Sequence, residues 1–161
     1  MRETPDISTS AADLSIGIVV SRYHHQVTDA LLRGAIDSFL ASGGCRDQLL
    51  VVEAPGSFEL IALAAELASN RLVDAIVALG CVITGETTHD QHIANAVANG
   101  LASLTVQSGI PIAFGVLTCQ SLQQAEARAG GGKGNKGAES MRAAIAAVNA
   151  IHNLQQNRSV R

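Results

Sequence analysis

A three-layer α/β sandwich built on a four-stranded parallel sheet is the architecture that this 161-residue sequence predicts. Four short apolar runs, none alternating with polar residues, are the first reason, because a strand in a parallel sheet is buried on both faces. The second is that a segment of helical periodicity follows each run, the order that right-handed crossovers require. The third is compositional: 47% of the residues are apolar but only 2% aromatic, so Ala, Val, Ile and Leu must build the core, which suits helices packed closely on a sheet.

Residues 1–13 are polar, include Pro5 and lack periodicity, which predicts an N-terminal tail ahead of one domain over 14–156 and a C-terminal tail over 157–161. Residues 14–20 form the first apolar run, and 28–41 place Leu32, Ala35, Ile36, Phe39 and Leu40 on one helical face before Gly43 and Gly44 end the helix. The second strand is expected at 49–54, broken by Pro55 and Gly56, with a helix opened by Ser57 and running through Leu60, Leu63, Ala64 and Leu67 to about Ser69. Residues 74–81 give the third strand, and Ile93, Val97, Leu101 and Leu104 mark the helix after His89. The fourth strand is expected at 111–117. Ser121 and Gln124 stand in capping-box spacing before a short helix that Gly130 ends, and a last helix runs from Ala138 to about Leu154. The arrangement is of the flavodoxin-like type. Ligands bind beyond the carboxyl ends of such strands, so the loops at 21–25, 55–59, 83–89 and 118–121 are where a site is expected.

A net charge of −3 argues against a nucleic-acid or membrane-surface partner. With no leader-like N-terminus and no window near the apolar length of a membrane span, a cytoplasmic protein is expected. Cys45, Cys81 and Cys119 are odd in number and widely spaced, and they read as small buried hydrophobes rather than disulfide partners or zinc ligands. A catalytic thiol at Cys81 or Cys119 would need an activating base, and none adjoins either one in sequence.

Two glycine-rich stretches carry most of the chemistry. Residues 79–89 run from a strand through Gly85-Glu86-Thr87-Thr88 into a helix, whose free N–H groups and positive dipole end suit an anion such as phosphate. Residues 128–137 supply Arg128, Lys133 and Lys136 as cationic partners. Gly132 to Gly137 formally matches the dinucleotide fingerprint, but that pattern has meaning only directly after a strand, whereas here it follows a helix. The segment is expected to be a helix-to-helix linker that lets lysines approach a ligand.

Tyr23, Phe58 and Phe114 lie in or near the loops, and read either as plugs onto the core or as walls for a planar heterocycle. Phe39 is helix core. Glu59 is either a favourable partner of its helix dipole or an acceptor for ligand hydroxyls. Thr87 or Thr88 can serve as a plain N-cap. His89, in the first turn of its helix, suits a general acid/base or is an incidental surface residue. His24, His25, His89, Asp90 and His92 lack a third ligand at metal spacing, so no metal is expected.

These segments together resemble the lumazine synthase family of riboflavin biosynthesis. The resemblance is carried by Ser21-Arg22-Tyr23, residues 31–37, Pro55-Gly56-Ser57-Phe58-Glu59, residues 74–83, Gly85 to His89, residues 114–118 and residues 124–139, in the family's order. It implies condensation of 5-amino-6-(D-ribitylamino)uracil with 3,4-dihydroxy-2-butanone 4-phosphate to 6,7-dimethyl-8-ribityllumazine, with no cofactor or metal. By position, Tyr23 would stack on the pyrimidine, Ser57, Phe58 and Glu59 would hold the ring and ribityl chain, and Val82 and Ile83 would contact the pyrimidine through their backbone. Gly85, Glu86 and Thr87 would bind the phosphate with Arg128 as clamp, His89 would move protons, and Lys136 would meet the pyrimidine edge. The resemblance further implies a homopentamer, with Phe114, Arg128 and Lys136 contributed by the adjacent chain, and assembly into a sixty-subunit shell as an option. A flavin- or lumazine-binding or shell-assembly paralogue is the alternative. Tyr23, Thr84, Leu60-Ile61 and Asp90-Gln91-His92 depart from the usual family residues.

Overall fold

The computed structural model describes residues 8–159. Four strands, β1 (Ile16–Ser21), β2 (Leu49–Ala54), β3 (Ala75–Ile83) and β4 (Ile112–Cys119), form one sheet in the order β2-β1-β3-β4, all parallel. The helices are α1 (His25–Ala41), α2 (Leu60–Ser69), α3 (His89–Ser108), α4 (Leu122–Arg128) and α5 (Lys136–Ser159). A turn of 3-10 helix, Arg46–Gln48, leads into β2.

The alternation of side chains along the strands divides the core into two layers. Ile16, Ile18 and Val20 of β1 and Ala75, Val77, Leu79 and Cys81 of β3 face α1 and α5, meeting Leu31, Ala35, Phe39, Met141, Ala144 and Ile145. Val19, Ile76, Ala78 and Val116 face α2 and α3, meeting Leu60, Ala64, Leu67, Val97 and Leu101. The flavodoxin-like three-layer sandwich expected from the sequence is the fold observed. Its edge strand β2 is less covered than its apolar run implies, with Leu50 and Val51 about two-fifths exposed, because it has a neighbour on one side only. Cys81 and Cys119 are buried as expected, whereas Cys45 is exposed, in the turn before β2.

Of the segment expected as an N-terminal tail, residues 8–13 lie against the domain and residues 1–7 fall outside those described. Ala11 is wholly buried and its amide donates to the Ser42 carbonyl at 2.9 Å, while Asn149 Nδ2 on α5 donates to the carbonyls of Ser8 and Ser10. At the other end α5 continues past Leu154 into the segment expected as a C-terminal tail, as far as Ser159, and residues 160 and 161 fall outside those described. Helix α4 starts with the expected cap, Ser121 Oγ accepting from the Gln124 amide at 3.3 Å, but Gln124 Oε1 reaches back to the amide of Gln120 rather than of Ser121.

The segment from Gly130 to Gly137 is not a plain linker. It forms a small antiparallel hairpin, β5 (Ala129–Gly131) and β6 (Gly134–Asn135), whose turn needs positive φ at Gly130 and Gly134. Asn135 then does two jobs. Its Oδ1 accepts from the Ala138 amide at 3.1 Å, capping α5, and its Nδ2 donates to the Ala30 carbonyl of α1 at 2.9 Å. Gly34 and Gly137 allow this approach: a Cβ on Gly34 would overlap the Asn135 amide, and one on Gly137 would stand 2.0 Å from the Leu31 carbonyl oxygen. The glycines therefore clamp α5 onto α1.

Candidate active site

The carboxyl ends of β1, β2 and β3 open into a cleft of about 760 Å³. From the β1 end come Tyr23 and His24; from the loop after β2 come Gly56, Ser57, Phe58 and Glu59; from the β3 end come Cys81, Val82, Ile83, Gly85 and Thr87; and the first turns of α3 add His89, Asp90, His92, Ile93 and Ala96. Nine residues singled out in the sequence thus meet in one place: Tyr23, Ser57, Phe58, Glu59, Val82, Ile83, Gly85, Thr87 and His89.

The loop after β1 is fixed from below. The Arg22 amide continues the β-ladder by donating to the Ala54 carbonyl, and its guanidinium pairs with Asp29 at 2.5 Å and reaches Glu53 at 3.8 Å. Tyr23 is left 77% exposed and Phe58 53%, so two aromatic faces stand open at the mouth, available to a flat ring rather than spent as plugs. Glu59 folds its carboxylate back over Gly56, where a Cβ would lie 2.8 Å from Oε2.

Polar capacity in the cleft is unspent. Ser57, nearly buried, has a hydroxyl without a partner among the described residues, and so does the buried Oδ1 of Asp90. The N-terminus of α3 also points here. Among the described residues no hydrogen bond engages the amides of Gly85, Glu86 and Thr87, while Thr87 Oγ1 accepts from the His89 amide at 3.4 Å and Thr88, at the N-cap position, makes no side-chain cap. Free amides and the dipole of a 20-residue helix give a positive end, with no lysine or arginine among the described residues of the lining.

The remaining predicted residues lie elsewhere on the chain. Glu86 is exposed and outside the lining. Phe114 sits on β4, 42% exposed. Arg128 ends α4 with Nη1 donating to the Gln124 carbonyl at 3.1 Å. Lys136 Nζ donates to Glu139 Oε2 at 2.6 Å, and that hydrogen bond holds the Glu139 carboxyl below its usual range. Arg128 and Lys136, expected to approach a ligand, therefore face their own helices in the single chain.

Burial pushes the Cys81 thiol up to about 12, with the neighbouring Cys119 adding to it, so the cleft holds no thiolate nucleophile at neutral pH. Among the described residues no group of three or more His, Cys, Asp and Glu side chains is placed to hold a metal ion. No described helix is long and apolar enough to cross a membrane. Sequence reasoning missed two contributors. His24 reads from the sequence only as a candidate metal ligand, although it adjoins Tyr23, and Arg22 lies inside a matching block without a role.

A second, more polar depression of about 690 Å³ adjoins the cleft over the ends of β3 and β4, sharing Val82 and Asp90 and lined otherwise by Thr84, Asn95, Thr118 and Gln120 among others.

The chain is similar to known proteins over most of its length. A 6,7-dimethyl-8-ribityllumazine synthase of Porphyromonas gingivalis is 46% identical over 127 residues, 79% of each chain, and one of Aquifex aeolicus is 42% identical over 146 residues, 91% of this chain and 95% of the relative. The 6,7-dimethyl-8-ribityllumazine synthase family pattern matches residues 13–152, from just before β1 into α5, and the chain belongs to that family.

Proposed function

We propose that the chain joins 5-amino-6-(D-ribitylamino)uracil to 3,4-dihydroxy-2-butanone 4-phosphate, releasing 6,7-dimethyl-8-ribityllumazine, inorganic phosphate and two waters. The observation that carries this reading is the convergence of two open aromatic faces, a carboxylate, a histidine and a helix N-terminus on one cleft. A flat ring with a polyol chain fits the first three, and a phosphate fits the last.

In this reading Tyr23 stacks on the pyrimidine, with Ser57, Phe58 and Glu59 holding the ring and ribityl hydroxyls and the backbone of Val82 and Ile83 meeting the pyrimidine edge. The amides of Gly85, Glu86 and Thr87 receive the phosphate. His89, at the first position of α3, moves protons as the amine and ketone form an imine and phosphate leaves. Amine and ketone react readily once aligned, so holding them together supplies much of the acceleration, and proton transfer by His89 adds about 10²- to 10⁴-fold.

A phosphate site with no lysine or arginine among the described residues of its lining is half a site. Phe114, Arg128 and Lys136, which sit outside the cleft, complete it from an adjacent copy in a homopentamer, Arg128 clamping the phosphate. Assembly into a sixty-subunit shell would leave this pairing unchanged. The substrates are soluble small molecules and the three cysteines are unpaired, which fits a reducing cytoplasm.

Incubating the full chain with both substrates tests the reading. Fluorescent lumazine should appear with one phosphate released per product; neither product at saturating substrate would overturn it.

A further inference from the structure

We propose that His24 is a positioning residue whose imidazole braces the ring of Tyr23 and so fixes the platform on which the pyrimidine stacks. The proposal rests on the reading of Tyr23 as that platform.

Tyr23 is the most exposed aromatic residue of the chain, and an exposed ring on a loop samples several rotamers. One ring contact holds it: the His24 imidazole, with centroids 4.9 Å apart and planes at 89°, an edge-to-face pair. His24 is free to make this contact because its backbone alone does the work of starting α1. Its carbonyl accepts from the amides of Val27 and Thr28 and from Thr28 Oγ1, and its side chain makes no cap. The main chain under the imidazole is thereby anchored at three points, and on the other side of Tyr23 the Arg22 ion pairs anchor the loop again. Partial burial lowers the His24 pKa from 6.5, which keeps the ring neutral at neutral pH.

An edge-to-face pair shifts a rotamer equilibrium by about two- to twelvefold. Ligand affinity scales with the populated fraction of the binding-competent rotamer, so losing the brace from a ring that it holds mostly in place raises the apparent dissociation constant by a smaller factor, about two- to fivefold, without touching the chemical step.

The full chain contains one tyrosine and no tryptophan, so its ultraviolet emission reports this ring alone. The experiment compares His24→Ala and His24→Phe with wild type in two readouts, tyrosine fluorescence anisotropy without ligand and the kinetics of lumazine formation. For His24→Ala the expected result is lower anisotropy and a pyrimidine KM raised about two- to fivefold, with kcat and the KM of the phosphorylated substrate unchanged. His24→Phe, which keeps an aromatic edge, should restore both. His24→Asn, which removes the ring but suits a helix N-cap, replaces the alanine variant if that one folds poorly. Unchanged anisotropy or unchanged pyrimidine KM in the ring-less variants, or no restoration by His24→Phe, would overturn the proposal. Failure of the functional reading shows up separately, as absence of lumazine from the wild type, and the anisotropy series still decides whether His24 braces the ring.

Discussion

Replacing Gly137 with alanine sets two physical effects of opposite sign against each other. Gly137 lies in the first turn of α5, where helix propensity alone favours alanine by up to about 1 kcal/mol. An alanine Cβ, however, would lie 2.0 Å from the Leu31 carbonyl oxygen, 2.7 Å from its carbon and 3.0 Å from Asn135 Oδ1. The first two are backbone atoms in the middle of α1, so no side-chain rotation relieves the overlap, and α5 must move away by an ångström or more. That stretches the 2.9 Å bond from Asn135 Nδ2 to the Ala30 carbonyl, a loss of about 1 kcal/mol. It also loosens the packing of Met141, Ala144 and Ile145 against Leu31 and Ala35, an overpacking cost of about 1–3 kcal/mol. The net expectation is destabilisation by about 2 kcal/mol, or a Tm lower by about 4–8 °C for a chain of this length. Gly132→Ala is the control, because nothing lies within 4 Å of its Cβ, and its effect should stay within about 0.5 kcal/mol. Urea unfolding at fixed protein concentration measures both, and Gly137→Ala should lower the midpoint at unchanged slope. Equal or higher stability of Gly137→Ala relative to Gly132→Ala would refute the clamp.

Gly56→Ala should act on the ligand instead of the fold. Its Cβ would lie 2.8 Å from Glu59 Oε2, the movable end of a side chain, so Tm should hardly change while the pyrimidine KM rises roughly fivefold as a charge-assisted hydrogen bond is weakened; an unchanged KM would remove Glu59 from the site. A thiol reagent at pH 8 should titrate one cysteine per folded chain, Cys45, and three after denaturation. The raised Cys81 pKa means that folding favours its neutral thiol, so its contribution to stability is complete below the ordinary value of 9.0 and is lost as pH climbs towards about 12. Urea midpoints falling over that alkaline range, and less so in Cys81→Ala, would bear this out; rapid labelling of Cys81 in the native protein would contradict it.

The sheet was legible because its four apolar runs are short and uninterrupted, and the observed strands differ from the expected ones by a few residues at their ends. Edge exposure was not legible, since the apolar run of β2 reads like that of a central strand until the order β2-β1-β3-β4 places it outside. The hairpin β5–β6 escaped because a pairing this short, made largely of glycine, shows no alternation of apolar residues. The clamp by Asn135 escaped for another reason: its partner, the Ala30 carbonyl, is 105 residues away, and no local pattern encodes a contact at that separation. Nine of the residues singled out in the sequence meet in one cleft because strand-end loops converge in any sheet of this kind. The lysine read as free to meet a ligand, Lys136, has an acid three residues on, Glu139, and that helical spacing already implied the ion pair.

The central claim is that the cleft is an enzyme site completed by a second copy of the chain. Arg128→Ala should abolish efficient use of the phosphorylated substrate while largely sparing pyrimidine binding, and His89→Ala should slow turnover with both substrates still bound. Assembling the two variants together in equal amounts tests the claim directly. If Arg128 of one chain serves the cleft that holds His89 of its neighbour, about a quarter of the sites in mixed assemblies are intact in both halves and about a quarter of wild-type lumazine formation returns. If both residues act within one chain, every site carries a lesion, and activity no greater than the mean of the two variants alone would contradict the account.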